Sequence, residues 1–383
     1  MWWTRAPATD LCDDRPMQIA IVGLAGSGKT TVFNTLTRGH AETGGYGGVT
    51  LNVGVVKVPD DRLDTLAGIF KPKKIIQADV TYVDLPAPPA STEGHIGTEE
   101  LPADHLARLR DSDALLHVVR AFEDASNPHA DGSVDPARDI ERLDLEFLLA
   151  DLAMAERRIE RLKTSARHGN PAEREAAERE DAVLRRIHNG LEGGAPIRDL
   201  ELDADDEKAI RGFRFLTQKP ALVLLNVGEG DLAAAPDLVS RTRAGYDHRH
   251  ALIEALSAKI EMELGELETD EAAVFMEELG IAESGLGRVI DLSYRLLGLI
   301  SFLTAGPDEV RAWPIPDGST AVDAAGAIHT DLARGFIRAE TVAYEDLVTL
   351  GSMTEARKHG RLRSEGKTYR VRDGDVLEIL FSK

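Results

Sequence analysis

The chain has 383 residues, which is enough for two or three domains with hydrophobic cores. Its content of 43% hydrophobic and 29% charged residues is typical of a soluble globular protein, and no apolar run approaches the roughly 20 residues that a membrane helix needs. The net charge of −21 argues against broad, non-specific nucleic-acid binding, so we expect neither DNA nor a membrane as a partner.

The first 16 residues, MWWTRAPATDLCDDRP, lack the long apolar centre of a signal peptide. We interpret them as a tag, a disordered extension or a start assigned too early, with Met17 as the expected functional start. The single cysteine, Cys12, lies in this segment, so an intrachain disulfide and a cysteine metal cluster are both excluded. A cytoplasmic protein fits these features best.

Strand and helix signals alternate from Met17 to about residue 121. The segment KTTVFNTLTRG predicts a helix. Strands are predicted at QIAIVGL, TLNVGVVKV, ADVTYVDLP and DALLHVVRAF, and much later at PALVLLN and HALIEAL. Strands interleaved with helices indicate a mostly parallel, covered sheet. We therefore expect one α/β domain formed by residues 17–136 and 213–304.

The turn between the first strand and the first helix reads GLAGSGKTT and fits the phosphate-loop pattern G-x-x-x-x-G-K-[ST]. Glycines let backbone N–H groups turn toward phosphate oxygens, and the helix N-terminus adds partial positive charge. Lys29 is expected to reach the β and γ phosphates, and the Thr30 hydroxyl to ligate Mg²⁺. The alternative is a glycine-rich turn that binds nothing. The predicted nucleotide contacts here are Gly23, Ala25, Gly26, Ser27, Gly28, Lys29, Thr30 and Thr31.

A second acidic anchor for Mg²⁺ is predicted at Asp84, which ends the apolar strand VTYVDLP. The alternative is an ordinary turn residue or helix cap.

A helical hairpin is predicted between the two halves of the α/β domain, at residues 137–212. Apolar residues recur at spacings of three and four, as in a coiled-coil seam: Leu145, Leu148, Leu152, Ala155, Ile159 and Leu162. The break ARHGNPAERE and a second helix with Leu184, Ile187 and Leu191 complete an antiparallel pair. We interpret its charged faces as solvated, and partner contact at the tip, residues 168–171, is the alternative.

Base recognition is predicted at the end of the later strand PALVLLN. Asn226 is the last residue of this segment, and Glu229 lies three positions later. GTPases of this class usually carry Asn-Lys-x-Asp, whose aspartate accepts two hydrogen bonds from guanine. Here Val227 replaces the lysine and Glu229 the aspartate. Adenine offers an N6 donor but no N1 donor, so the change argues against tight guanine binding. A polar turn without ligand is the alternative.

Residues 305–383 predict a small α+β domain, with short strands at VRAWPI, FIRAETV, KTYRV and DVLEILF. A basic stretch stands out against the acidic chain and contains Glu365 as its single acid; its members are Arg357, Lys358, Arg361, Arg363, Lys367, Arg370 and Arg372. We expect it to contact RNA. The alternative is a solvated face whose arginines pair with Asp373 and Asp375.

Several long motifs resemble the Obg-like ATPases, the YchF family of translation-factor-type P-loop NTPases. They are NVGVVKVPDDRLDTLA, NVGE, SAKIE, LLGLISFLTAGPDEVRAW, AAGAIHTDLARGFIRAE and EGKTYRVRDGDVLEILF, and the resemblance runs from about Met17 to the C-terminus. It implies a P-loop nucleotide domain, an inserted coiled-coil hairpin and a C-terminal ubiquitin-like (β-grasp) TGS domain. It also implies a Mg²⁺-dependent, slow hydrolase that prefers ATP to GTP and associates with ribosomes, with the large subunit as the expected site.

The resemblance also assigns roles to individual residues. Thr50 matches the switch threonine that senses Mg²⁺ and the γ-phosphate, and Asp84 matches the metal-associated acid. His129 aligns with a loop histidine implicated in hydrolysis, which makes it a candidate catalytic residue beside Lys29. The adenine-reading and base-supporting positions are Asn226, Val227, Glu229, Ser257, Ala258 and Lys259.

The chain departs from the family pattern in its phosphate loop and switch. Ala25, Gly26 and Ser27 replace Pro-Asn-Val, and the family's Asp-x-x-Gly becomes Asp84-Leu85-Pro86-Ala87. The glycine-rich switch that normally follows is replaced by PPASTEGHIGTEEL. A regulatory ATPase in translation or stress response is the leading hypothesis. A GTPase or dual-specificity NTPase and a nucleotide-sensing scaffold with little turnover remain alternatives. A metabolic kinase is weaker, since neither an acceptor-site signature nor an arginine-rich lid is present.

Overall fold

A computed structural model describes residues 17–39, 42–46, 49–85, 102–165, 170–281 and 283–382. The N-terminal extension, residues 86–101 and residues 166–169, which include half of the predicted hairpin tip, therefore lie outside the described residues. The chain divides into two compact units. The larger contains Met17–Gly54 and Tyr82–Leu286, and the smaller contains Val55–Thr81 and Gly287–Lys383.

The described elements alternate in the order that the sequence predicts. The strands are β1 (Gln18–Val22), β2 (Glu42–Tyr46), β3 (Val49–Lys57), β4 (Lys74–Ile76), β5 (Asp79–Asp84), β6 (Ala114–Ala121), β7 (Ala221–Val227), β8 (Ala251–Leu256), β9 (Leu299–Ala305), β10 (Glu309–Pro316), β11 (Phe336–Ala343), β12 (Arg363–Glu365) and β13 (Asp375–Phe381). The helices are α1 (Lys29–Thr37), α2 (Asp61–Phe70), α3 (Ala103–Asp111), α4 (Pro136–Ser165), α5 (Pro171–Glu192), α6 (Ala204–Ile210), α7 (Ala235–Gly245), α8 (Ala258–Glu266), α9 (Thr269–Glu278), α10 (Gly285–Leu296), α11 (Ala321–Ile328), α12 (Thr330–Arg334), α13 (Tyr344–Leu350) and α14 (Met353–Lys358).

A seven-stranded sheet runs in the order β2-β3-β5-β1-β6-β7-β8. Its strands β1, β6, β7 and β8 pair in parallel, whereas β2 and β3 form an antiparallel pair. Strand β7 is buried along its whole length, as its continuous apolar run requires in a sheet covered on both faces. The predicted mostly parallel α/β sheet is confirmed. Because parallel strands end at one edge, the segments after β1, β6, β7 and β8 all meet there.

The inserted helices α4 and α5 pack antiparallel, since Arg158 binds Glu180 and Glu156 meets His188. Their shared core contains the predicted apolar residues Leu148, Leu152, Ala155, Ile159, Leu162, Leu184, Ile187 and Leu191. Leu145 is the exception, because its side chain is 55% exposed. The first turns of α4 instead bury Ile140, Leu143 and Phe147 in the cores that cover the sheet, so the helix seam begins one turn later than the spacing suggests.

The smaller unit contains a second sheet, ordered β12-β11-β13-β9-β10-β4. Strands β9 and β10 are antiparallel, β13 joins β9 in parallel, and α11 follows β10, which is a β-grasp arrangement. The segment KTYRV was predicted to be a strand, but it forms only an isolated bridge from Arg370 to Thr320. It is a turn, closed by the Tyr369 N–H donating to the Gly366 carbonyl at 3.1 Å.

The compact units depart from the predicted domain ranges. Residues 55–81 and 287–304 were assigned to the nucleotide domain, yet they group with the C-terminal residues. The reason is strand pairing: β4 aligns in parallel with β10, and β9 lies between β10 and β13. Within the described ranges, no helix combines the length and apolar character needed to cross a membrane.

Candidate functional site

The phosphate loop joins β1 to α1 in a conformation that only glycine permits at two positions. Gly28 caps the helix with φ +93°, and a Cβ there would lie 2.3 Å from the Asn226 Nδ2. A Cβ on Gly23 would lie 2.2 Å from the Val118 carbonyl oxygen. No side chain among the described residues caps this helix end. Its first N–H groups are therefore available to an anion, and Ala25, Gly26 and Thr30 are exposed.

Lys29, the first residue of α1, folds back over the loop. Its ammonium donates to the carbonyls of Gly23 at 2.7 Å and Leu24 at 3.0 Å. Burial lowers the pKa of Lys29, and the charge of Asp84 opposes that shift. Burial also raises the pKa of the Asp84 carboxyl, whereas the hydrogen bond from the Asn52 amide and the charge of Lys29 act in the opposite direction. The two carbonyls are neutral acceptors for the Lys29 ammonium. Charged phosphate oxygens would form stronger hydrogen bonds with it.

Asp84 ends β5 and is 1% exposed. Its Oδ2 accepts from the Asn52 Nδ2 at 3.4 Å, whereas its Oδ1 is buried and has no hydrogen-bond partner among the described residues. A buried carboxylate oxygen without a partner is costly, and a hard cation would satisfy it. Thr30 adds an exposed hydroxyl at the start of α1, so the oxygen donors present fit Mg²⁺. Thr50 lies in β3, but its side chain is outside the described residues, as are Pro86 and Ala87.

Asn226 connects the phosphate loop to the segment after β8. Its Nδ2 donates to the Ser27 carbonyl, and its Oδ1 accepts from the Ala258 N–H, both at 3.0 Å. The hydroxyls of Ser27 and Ser257 are buried without a hydrogen-bond partner among the described residues. Thr31 lies in the first turn of α1, where its carbonyl accepts from the Thr35 hydroxyl.

Two exposed side chains flank the predicted base-reading segment. Lys259 Nζ lies 3.3 Å from Glu229 Oε2, so Glu229, which the sequence predicts to contact the base, is paired with a cation. Val227 is buried at the end of β7, and its side chain belongs to the core beneath the sheet. The structure thus brings Asn226, Glu229, Ala258 and Lys259 to the sheet edge that holds the phosphate loop.

His129 lines a small pocket together with Leu24, Ala25 and Ser27 of the phosphate loop. Its ring is held on both sides, since Nε2 lies 2.8 Å from Asp139 Oδ2 and Nδ1 accepts from the Asp131 N–H at 3.1 Å. The ring therefore offers no unused nitrogen to a ligand in this conformation.

Three further residues in this region were not predicted from the sequence. The buried Arg120 donates to the carbonyls of Phe122 at 3.0 Å and Asn127 at 2.8 Å, fastening the loop that carries His129. Asp139 is 2% exposed. Burial, with Lys29 and Arg198 adding repulsion, lowers the pKa of His117 to about 3. A charged residue within the apolar strand LLHVVRAF was the available signal for Arg120.

Two family models match the chain. The model described as 50S ribosome-binding GTPase covers residues 18–150. The YchF-GTPase_C model, described as a protein of unknown function, covers residues 299–382. The first match includes β1, β2, β3, β5 and β6 of the phosphate-loop sheet but ends before β7 and β8, and the second includes β9 to β13 of the second sheet.

Curated relatives align along nearly the whole chain. The ribosome-binding ATPase YchF of Bacillus subtilis (strain 168) is 41% identical over 366 residues, covering 94% of this chain and 98% of the relative. The protein of the same name from Pasteurella multocida (strain Pm70) is 42% identical over 364 residues, with coverages of 94% and 98%. The solved structure of the Schizosaccharomyces pombe YchF GTPase superposes with a TM-score of 0.83 at 28% identity, covering 99% of this chain and 100% of that one.

Proposed function

Because this chain belongs to the YchF family, we propose that it is a ribosome-binding ATPase of the cytoplasm, which binds ATP in preference to GTP, hydrolyses it slowly and acts as a regulatory switch in translation or stress response. The relatives carry ribosome binding and ATPase activity in their names. The single observation that supports nucleotide binding most strongly is the uncapped N-terminus of α1 behind a glycine loop, with Lys29 beside it.

The phosphates of ATP would lie across the N–H groups of the loop, from Gly23 to Thr31. Lys29 would exchange its two carbonyl acceptors for β- and γ-phosphate oxygens, which removes the mismatch between a partly buried ammonium and neutral partners. Thr30, Asp84 and Thr50 would hold Mg²⁺. When bound, Mg²⁺ supplies positive charge against the phosphate oxygens. Hydrolysis then rests on positioning and charge neutralisation rather than on a covalent intermediate.

The preference for ATP follows from the base-reading segment. Asn226 uses its amide to connect Ser27 and Ala258, so it shapes the site instead of reading the base. Glu229 is paired with Lys259, which weakens it as the acceptor of two guanine hydrogen bonds. Val227 offers no polar side-chain atom. One alternative is a GTPase or dual-specificity NTPase, which nucleotide titration would reveal. The second alternative is a nucleotide-sensing scaffold with little turnover.

Ribosome contact is proposed for the basic stretch of the smaller unit, the TGS domain by family resemblance, with ribosomal RNA of the large subunit as partner. Several of its cations are already paired: Arg357 with Glu340, Lys358 with Glu355, and Arg363 with Asp375.

The cations of this stretch that lack a close ion pair among the described residues are Arg361, Lys367, Arg370 and Arg372. Arg361 and Arg372 line one cavity of about 380 Å³. Arg372 makes no side-chain ion pair within the described ranges, and Arg361 reaches Asp346 only at 3.8 Å. We therefore propose these two as the phosphate contacts.

Phosphate release from ATP, measured with and without ribosomes, tests the proposed function. The unaltered chain should turn over slowly alone and respond to ribosomes. Lys29→Ala should lose turnover, whereas Lys73→Ala, an exposed lysine paired with Asp308, should not. Turnover that survives in Lys29→Ala would contradict the proposal, and ATP binding without any turnover would favour the scaffold.

A further inference from the structure

His129 and Asp139 form a buried pair at the edge of the phosphate loop. The Nε2 of His129 lies 2.8 Å from Asp139 Oδ2, and the two side chains are 6% and 3% exposed. The other carboxylate oxygen, Oδ1, accepts from Arg138 Nε at 3.1 Å and from its terminal nitrogen at 2.9 Å. The carboxylate is thus held on both sides, with a guanidinium fixing its orientation toward the ring.

The hydrogen bonds determine which ring nitrogen of His129 carries the proton. Nδ1 accepts the backbone N–H of Asp131, so in the neutral ring it carries no hydrogen. The hydrogen is then on Nε2, where the Asp139 carboxylate accepts it. A carboxylate in this position fixes the tautomer and the plane of an imidazole, and it stabilises any positive charge that develops on the ring.

The pair is positioned against the nucleotide loop. His129 and Asp139 line the same small pocket as Leu24, Ala25 and Ser27. Arg120 holds the connecting loop through the Phe122 and Asn127 carbonyls, and its terminal nitrogen lies 3.3 Å from where a Cβ on Gly26 would be. The ring therefore lies beside the backbone that would contact phosphates.

We propose that Asp139 is a positioning residue for ATP hydrolysis, which keeps His129 in the Nε2–H tautomer and so makes Nδ1 the nitrogen offered to the attacking water. This rests on the proposed function. In the reaction, the Asp131 N–H and the Arg138 guanidinium, whose terminal nitrogen lies 3.5 Å from Nδ1, move away from that nitrogen, and the water donates a hydrogen bond to Nδ1 in their place. The water oxygen bonds to the γ-phosphorus as the bond to the β–γ bridging oxygen breaks. The products are ADP, inorganic phosphate and the proton that the water gives up.

The test compares Asp139→Asn, Asp139→Glu and His129→Ala with a control, Asp124→Asn. Asp124 is a half-buried acid of the same loop that contacts Ser126, so its replacement removes the same charge without touching the ring. ATP turnover gives kcat and KM. Nitrogen-15 NMR of histidine-labelled protein gives the tautomer of His129, assigned by its absence in His129→Ala.

We expect Asp139→Asn to lower kcat by about 10- to 100-fold with little change in KM, and to lose the pure Nε2–H signature. Asp139→Glu should recover part of both. The double variant with His129→Ala should be no slower than His129→Ala alone, because the two residues act as a unit. Asp124→Asn should match the unaltered chain in kcat and tautomer.

The contrary results distinguish a failure of this proposal from a failure of the proposed function. If the unaltered chain turns over ATP and Asp139→Asn or His129→Ala does so equally fast, this proposal is wrong and the proposed function stands. If kcat falls in Asp139→Asn while the ring keeps its Nε2–H form, Asp139 has only a structural role. Should Asp139→Asn fail to fold, Asp139→Glu decides, since loss of both kcat and tautomer there overturns the proposal. No turnover in the unaltered chain, even with ribosomes, contradicts the proposed function as well.

Discussion

Asn226 donates a hydrogen bond of 3.0 Å to the backbone carbonyl of Ser27, which lies 199 positions earlier in the chain. The other end of the same amide accepts from the Ala258 N–H. One buried side chain therefore spans the phosphate loop and the segment after β8. This amide joins the proposed phosphate-binding and base-reading segments, so we expect a change in one to affect the other.

Replacing this connection should weaken nucleotide binding without selecting between bases. Asn226→Ala leaves the Ser27 carbonyl and the Ala258 N–H unpaired, and each buried unpaired group costs about 1–3 kcal/mol. We expect affinity for ATP and GTP to fall together, by about tenfold or more, in calorimetric titrations. Asn189→Ala, on the exposed face of α5, is the control. Unchanged affinity in Asn226→Ala would show that the connection is dispensable.

Arg120 should control the loop that carries His129. Lysine keeps the charge but cannot donate to the Phe122 and Asn127 carbonyls in the same fork geometry. We expect Arg120→Lys to lower kcat several-fold and to speed amide hydrogen exchange in residues 122–131, with ATP affinity less affected. Exchange rates equal to those of the unaltered chain would contradict this role.

His117 should make the protein sensitive to acid. Its pKa is lowered from 6.5 to about 3 by burial, and Lys29 and Arg198 act in the same direction. As pH falls from 6.5 toward 3, the unfolded chain takes up a proton that the folded chain refuses, so the free energy of unfolding decreases. The stabilisation is complete above pH 6.5 and is lost on acidification.

His117→Phe should remove this component, because phenylalanine has a similar size and does not titrate. Denaturant unfolding at several pH values should then show a shallower loss of stability between pH 6.5 and 3. The difference amounts to at most one proton per molecule in the slope. An identical pH dependence in both proteins would mean that His117 takes up its proton at the same pH in the folded chain as in the unfolded chain.

The salt dependence of ribosome association should identify the RNA contacts. Neutralising Arg361 and Arg372 to glutamine should lower the slope of log affinity against log salt by roughly one unit per contact. Neutralising Arg357 and Lys358, which are paired with Glu340 and Glu355, should change it less. Co-sedimentation at several salt concentrations measures both. Equal slopes for the two double variants would place the contact elsewhere, first at the tip of the α4–α5 hairpin.

Much of the first sheet could be predicted because strands buried on both faces need continuous apolar runs, as in β6 and β7. The domain boundary could not, since the parallel pairing of β4 with β10 joins segments far apart in the chain. KTYRV has strand-forming residues, but the Gly366–Tyr369 turn determines its conformation.

Some parts of the candidate site could likewise be predicted from the sequence and others could not. The phosphate loop could be predicted because its glycines and lysine have fixed spacing and each has a physical role. The seven residues of the basic stretch could be identified from the sequence. Which of them are already ion-paired could not, because pairing such as that of Arg363 with Asp375 depends on the fold. Asp139 and Arg120 escaped prediction because their roles depend on the conformation of one loop.

We propose that this site binds ATP with Mg²⁺ in preference to GTP. The decisive measurement is calorimetric titration of the whole chain with ATP, GTP and their non-hydrolysable analogues, each with Mg²⁺. A properly paired purine edge contributes about 1–3 kcal/mol, so we expect ATP to bind about tenfold more tightly, and Lys29→Ala to bind neither nucleotide. Equal or tighter binding of GTP would contradict the preference for ATP and identify a GTPase or dual-specificity NTPase.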